Sequence, residues 1–232
     1  MSATQKTASL EREAWRAMNL EKVIAPEQRI CDAHHHLWGH VGDEYFAAQL
    51  AADVGDGHNI VQTVYVECGS AYHETGPAAM APVGETEFVV SQAKELAEII
   101  RRPLITGIIG FADMRLGANV EDVLAAHIDA SGGCFSGIRH AVAWDAHTEI
   151  VNHQIDPPAG LLSEPNFAAG VAVLGKMGLT FDAWLYHPQL PELVKFAAAV
   201  PGTTIVVDHL GAPVGIGPYA NRRDEILSYC RE

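Results

Sequence analysis

Positive charge is scarce. The 232 residues include 15 Lys and Arg against 29 Asp and Glu, a formal net charge of −14. A protein that binds a phosphate backbone needs clustered Lys and Arg. The composition therefore excludes a nucleic-acid partner and suits a soluble, cytoplasmic chain. Cysteine is scarce too. Cys31, Cys68, Cys134 and Cys230 lie far apart with no C-x-x-C pair, which argues against disulfides and for buried thiols. No apolar run approaches the length of a membrane-spanning helix, about 18 residues or more. The opening MSATQKTASLEREAW has no apolar core, so it does not read as a signal peptide. No G-x-G-x-x-G follows Ile30 or Val66, which weighs against a dinucleotide-binding, doubly wound sheet.

What is present is a rhythm. Residues 1–27 read as a polar leader with one short helix over 9–23, with Ser9 as its N-cap. From residue 28 to 232 the chain reads as one domain. Its short apolar runs cover 29–35, 60–68, 103–113, 134–142, 179–187 and 203–211. Helical patterns lie between and after them, over 46–54, 85–102, 120–131, 164–177, 191–200 and 221–232. Strands apolar on both faces, alternating with helices, predict a parallel α/β sheet. The polar residues choose the architecture. His34 and His36, Glu67, Asp113, Arg139 and His140, His187, and Asp208 and His209 all stand where a strand candidate ends. Convergence at the C-terminal ends of strands is what a (β/α)8 barrel enzyme requires.

A strand places residues i and i+2 on one face. His34 and His36 thus share a face with Ile30 and Asp32, and two neutral imidazoles there suit Zn²⁺ or a similar divalent ion. A solvated His-rich loop is the alternative. By the same alternation Ile205, Val207 and His209 face inward and Val206 and Asp208 outward, making His209 a general base, an oxyanion donor or a ligand. His187 reads as a further metal ligand or a substrate contact, or else as a loop histidine before Pro188. Glu67 ends an apolar strand, where a carboxylate is costly unless paired or metal-bound. Arg139 suits a substrate carboxylate, with His140 beside it, or else an Arg–Asp structural pair, for instance with Asp113. His35 reads as a bystander and His40 as a loop residue. His58, His73, His127, His147 and His153 are expected at the surface. The long connections 69–84 and 144–163 belong to one rim and are expected to cover the substrate.

The ordered set D-A-H-H-H-L-W (32–38), G-E-T-E-F-V (84–89), G-I-R-H (137–140), L-Y-H-P-Q-L (185–190) and V-D-H-L-G (207–211) resembles the amidohydrolase superfamily. The branch it is most similar to is the amidohydrolase 2 group, which includes 2-pyrone-4,6-dicarboxylate lactonase and sugar lactonases. The resemblance implies a (β/α)8 barrel, hydrolysis of a lactone or related carboxylic ester, and a small carboxylated substrate. It matches His34 and His36 to the strand-one pair and His209 to the strand-six histidine. It implies a divalent metal, Zn first, although metal use varies within the branch.

The resemblance also implies an aspartate on strand eight that takes the proton from the attacking water. The sequence stops at Glu232, inside the sixth helical pattern, so the expectation is a barrel truncated after about six βα units, with strands one and six as open edges. Asp208 is expected to face away from His209 and not to replace that aspartate. A metal-dependent decarboxylase of the same superfamily and a catalytically incomplete barrel are the competing readings. Assembly into a homo-oligomer is left open.

Overall fold

The computed structural model describes residues 15, 18, 21–40, 43–150 and 157–229. The helix expected over 9–23 falls largely outside them, as do Cys230, His153 and the His40 side chain.

Six strands form one parallel sheet: β1 (Arg29–His35), β4 (Asn59–Val66), β5 (Ile105–Gly110), β6 (Phe135–Ala141), β7 (Thr180–Trp184) and β8 (Thr204–Val207), paired in that order. Two three-residue strands not expected from the sequence, β2 (Trp38–His40) and β3 (Asp43–Tyr45), make an antiparallel hairpin after β1. Trp38 stacks on Tyr45 across it, with ring centroids 5.1 Å apart. The helices between and after the parallel strands are α1 (Ala47–Val54), α2 (Val83–Ile100), α3 (Glu121–Ala130), α4 (Pro165–Met177), α5 (Leu190–Ala199) and α6 (Arg223–Tyr229). Each lies within a few residues of its predicted range.

Local chemistry sets the boundaries. In α4, Pro165 opens the helix where a missing N–H costs nothing, and Gly178 closes it in the left-handed conformation at φ 72°. The strands bury one face against helices. Val123, Leu124, Ile138, Phe167, Leu174, Phe181 and Phe196 form the larger core, between β6, β7 and helices α3 to α5. Leu37, Leu50, Tyr65, Val89, Leu96 and Ile108 form a second, under α1 and α2. A small third cluster, Ala143, Ile150, Tyr186 and Val214, caps the loops after β6, β7 and β8.

Among the described residues β1 and β8 are the two edges of the sheet. The sheet curls strongly enough to bring their C-terminal ends together, since the rings of His34 and His209 lie 4.7 Å apart. This is the wall of a (β/α) barrel seen over six of its strands. Cys31, expected buried, is exposed on the β1 edge, and Cys68 and Cys134 are only partly buried. His127, expected at the surface, is fully buried. It sits under α2, where Thr86 Oγ1 and the Phe111 carbonyl lie 2.8 and 3.0 Å from its two ring nitrogens. Its position on the inner stripe of α3 could be reached only once the helix was docked.

Candidate active site

The site lies at the C-terminal ends of the strands. His34 is the penultimate residue of β1, and its backbone N–H is held by Asp32 Oδ1 at 3.2 Å. His36 follows the strand. Its Nδ1 is 2.7 Å from the Val66 carbonyl, so that nitrogen carries the proton and Nε2 keeps its lone pair. The two rings meet edge to face at 5.0 Å. His35 points elsewhere, against Tyr65.

At the other edge of the sheet the period-two reading fails. Strand β8 ends at Val207, and the chain enters a tight turn in which His209 is left-handed, at φ 51° and ψ 34°. A left-handed residue reverses the direction that alternation predicts. Asp208 and His209 therefore do not face apart. One ligand atom from each, with one from His34, all lie within 4.8 Å of one another. His36 and His187 do not belong to this group. Asp208 is 4% exposed, and its Oδ2 has no hydrogen-bond partner among the described residues.

Arg139, on β6, reaches the same space. Its Nε donates to Glu67 Oε1 at 2.7 Å and its Nη2 to the Glu67 carbonyl. Its Nη1 faces His34 Nε2 at 3.4 Å and Asp208 Oδ2 at 3.9 Å. Arg139 thus sits in a buried ion pair, but its partner is Glu67 and not the aspartate expected in the alternative reading. Asp113 instead pairs with Arg115 at 2.7 Å. Breaking a buried pair of this kind typically costs about 3–5 kcal/mol, because one charge is left alone. Both residues lie at the site, but neither presents a free charged group to a substrate carboxylate.

His140 lies on the opposite face of β6. It packs between Phe111 and Phe167, each 5.1 Å away, and accepts from the Met114 backbone N–H at 3.3 Å. Arg139 and His140 are consecutive on a strand, so only one of them can face the barrel interior. His187 is buried and accepts from the Val214 backbone N–H at 3.2 Å, with Tyr219 edge-on at 5.0 Å. Those contacts tie the loops after β7 and β8 together.

Two relevant side chains were not singled out from the sequence. Asp182, on β7, is the register partner of Arg139 and is 6% exposed. An aspartate inside the apolar run LTFDAWLYH was the available signal. Glu85, in the first turn of α2, takes three hydrogen bonds on Oε1, from Tyr65 Oη at 2.8 Å and from the N–H groups of Cys68 and Ser70 at 2.9 Å each. It fixes the loop that starts at Glu67.

Burial dominates the electrostatics. It holds His34 down to about 4, helped by His36, Arg139 and His209. It lowers His36 against the opposing Val66 hydrogen bond. These imidazoles are neutral at pH 7 and keep lone pairs for a ligand. Burial also raises the carboxyls of Glu67 and Asp208, with Arg139 opposing in each case. Asp182 is pushed up to about 6, by burial and then by Asp208. Three buried carboxylates thus share one guanidinium. Negative charge is in excess, one carboxylate oxygen lacks a hydrogen bond among the described residues, and two imidazoles stand beside it. This donor set fits a divalent cation of the Zn²⁺ type, with His34, Asp208 and His209 holding it.

The family model described as "Amidohydrolase", of the amidohydrolase 2 group, matches residues 31–226. The uncharacterized protein y4mH of Sinorhizobium fredii is 26% identical over 207 residues, covering 80% of this chain and 63% of that protein. An L-fucono-1,5-lactonase of Burkholderia multivorans is 24% identical over 192 residues, covering 78% of this chain and 55% of that protein. The chain therefore spans less than two thirds of the length of these curated relatives. A solved amidohydrolase of Burkholderia multivorans aligns in two crystal forms, one with HEPES and one with zinc, at TM-scores of 0.60 and 0.56. Each shares 21% identity with this chain and covers 87% of it and 63% of the solved chain.

Proposed function

This chain belongs to the amidohydrolase family, and from that premise we propose that it is part of a hydrolase that opens a lactone or related carboxylic ester by attack of water. The observation that carries the reading is the convergence of His34, Asp208 and His209 from the two edges of the sheet, with Asp208 Oδ2 buried and without a hydrogen-bond partner among the described residues. The lactone is supported by the relative named L-fucono-1,5-lactonase. His34, Asp208 and His209 would hold a divalent cation there, which would supply Lewis-acid polarisation of the carbonyl.

The chain's own residues do the rest. Asp208 and His34 hold the inner side of the site. His209, the most exposed of the three, holds the side open to solvent, where substrate arrives. His36 keeps an Nε2 lone pair beside them for a substrate hydroxyl or a water proton. Glu67 and Arg139 fix the floor. A substrate carboxylate or hydroxyl set is recognised by other groups on the rim, because Arg139 is already engaged by Glu67.

The test uses the full chain loaded with Zn²⁺ and a panel of aldonolactones that includes L-fucono-1,5-lactone. Acid release is followed with a pH indicator. Hydrolysis above the spontaneous rate that disappears in His34→Ala supports the proposal. No hydrolysis of any lactone, or identical rates in the variant, overturns it.

A further inference from the structure

The metal site proposed above contains a cation of its own. Arg139 is 4% exposed and is held on two of its three nitrogens by Glu67, through Nε to the carboxylate and Nη2 to the backbone carbonyl. The fork geometry of the guanidinium leaves it little freedom to swing away. The remaining nitrogen, Nη1, is thereby aimed at His34 Nε2, 3.4 Å away, and at Asp208 Oδ2, 3.9 Å away. Those are two of the three residues that would ligate the ion. An N–H of arginine only donates, so Nη1 draws on lone pairs of two residues that would hold the metal. Its positive charge also repels a divalent ion at short range in a poorly screened interior.

We infer that Arg139 is a built-in competitor for the cation at His34, Asp208 and His209, and that the Arg139–Glu67 pair sets how weakly this site holds its metal. The inference rests on the metal site proposed above and deepens it. Charge alone would allow a simpler effect, since removing any buried positive group favours a cation. Removing Arg139 and Glu67 together separates the two. The net charge of the interior is then unchanged, while the competing nitrogen is gone. A neutral, similarly sized replacement of a buried ion pair is also the change a fold tolerates best.

Zn²⁺ alone is titrated calorimetrically into the metal-stripped full chain, as wild type, as Arg139→Met and as Arg139→Met with Glu67→Gln. Far-UV circular dichroism confirms that each is folded. Both variants are expected to bind at least tenfold tighter than wild type, and adding His34→Ala is expected to abolish the gain. A merely structural role for Arg139 would move affinity the other way, because a loosened site binds less well. A double variant that binds no tighter than wild type overturns the competitor and leaves the metal site standing. Zn²⁺ binding that is indifferent to His34→Ala, or absent from every variant, overturns the metal site and the competitor with it.

Discussion

Single side chains decide the chemistry of this site, and their roles separate by burial. His34, Asp208 and His209 offer ligand atoms to one point. Replacing any of them, as His34→Ala, Asp208→Asn or His209→Ala, is expected to weaken Zn²⁺ retention at least tenfold and lactone hydrolysis about a hundredfold, the scale on which electrostatic stabilisation of a transition state acts. Metal content after dialysis and initial rates check this. His58→Ala, at an exposed position, is the control and should change neither. A second expectation concerns His127, held down to about 4 by burial, with the Phe111 carbonyl opposing. In the unfolded chain an ordinary histidine titrates near 6.5. Between those values the unfolded state takes up the proton and the folded state does not, so stability falls as pH drops from about 6.5 towards 4. For His127 the loss from pH 7 to pH 5 should be about 2 kcal/mol. Urea midpoints at the two pH values measure it. His127→Gln, which keeps a donor and an acceptor, should remove that part of the slope.

At the scale of elements, the segment Gly84–Glu85–Thr86 works as a clamp for the loop after β4. A Cβ on Gly84 would stand 2.6 Å from the Ala71 carbonyl oxygen, so only glycine lets the loop lie against the start of α2. Glu85 then caps the loop's N–H groups, and Thr86 reaches across to His127 on α3. Glu85→Ala should cost about 3 kcal/mol, because it strands buried donors as well as removing bonds. Glu85→Gln keeps an oxygen acceptor and should cost less than half as much. Urea unfolding of the two variants distinguishes this clamp from simple helix capping, in which both changes would cost about 1 kcal/mol. The loop itself was predicted as a long irregular connection at the rim, and the Ala78–Met80 turn within it is its only helical piece among the described residues. Its anchoring could not be seen in advance, because the three groups bonded by Glu85 are 15 to 20 residues away from it.

For the whole molecule the consequential feature is curl. His34 stands near the C-terminal end of the first strand of the sheet, and Asp208 and His209 follow the last. A cation held by all three would join the two edges. Zn²⁺ at a hundred times its dissociation constant should therefore raise stability by about 2.7 kcal/mol. Calorimetric melting with Zn²⁺, and again with a chelator in excess, measures the gain. In Asp208→Asn the gain should shrink, and an undiminished gain there would place the stabilising ion elsewhere.

The sequence by itself determined the order and type of the parallel strands and their helices, the rim on which the chemistry sits, and the family. Apolar alternation is a local property, and each helix or strand is long enough to show its own period. His34 was singled out because it ends an apolar strand, but the expected strand pairing with His36 does not hold, since β1 stops at His35 and His36 lies beyond it. Only the tertiary structure decided the partners. Arg139 and Glu67 are 72 residues apart, and His34 and Arg139 105, so no local pattern could pair them. Alternation also stops where the strand stops. A turn with four consecutive positive-φ residues, His209 to Ala212, follows the strand, and at it Asp208 stands in the site that the extended pattern had denied it, while His140, one position past Arg139, was turned by the strand geometry into the core. The backbone at a strand's end is set by packing against the neighbouring loops, and that packing exists only once the sheet has curled.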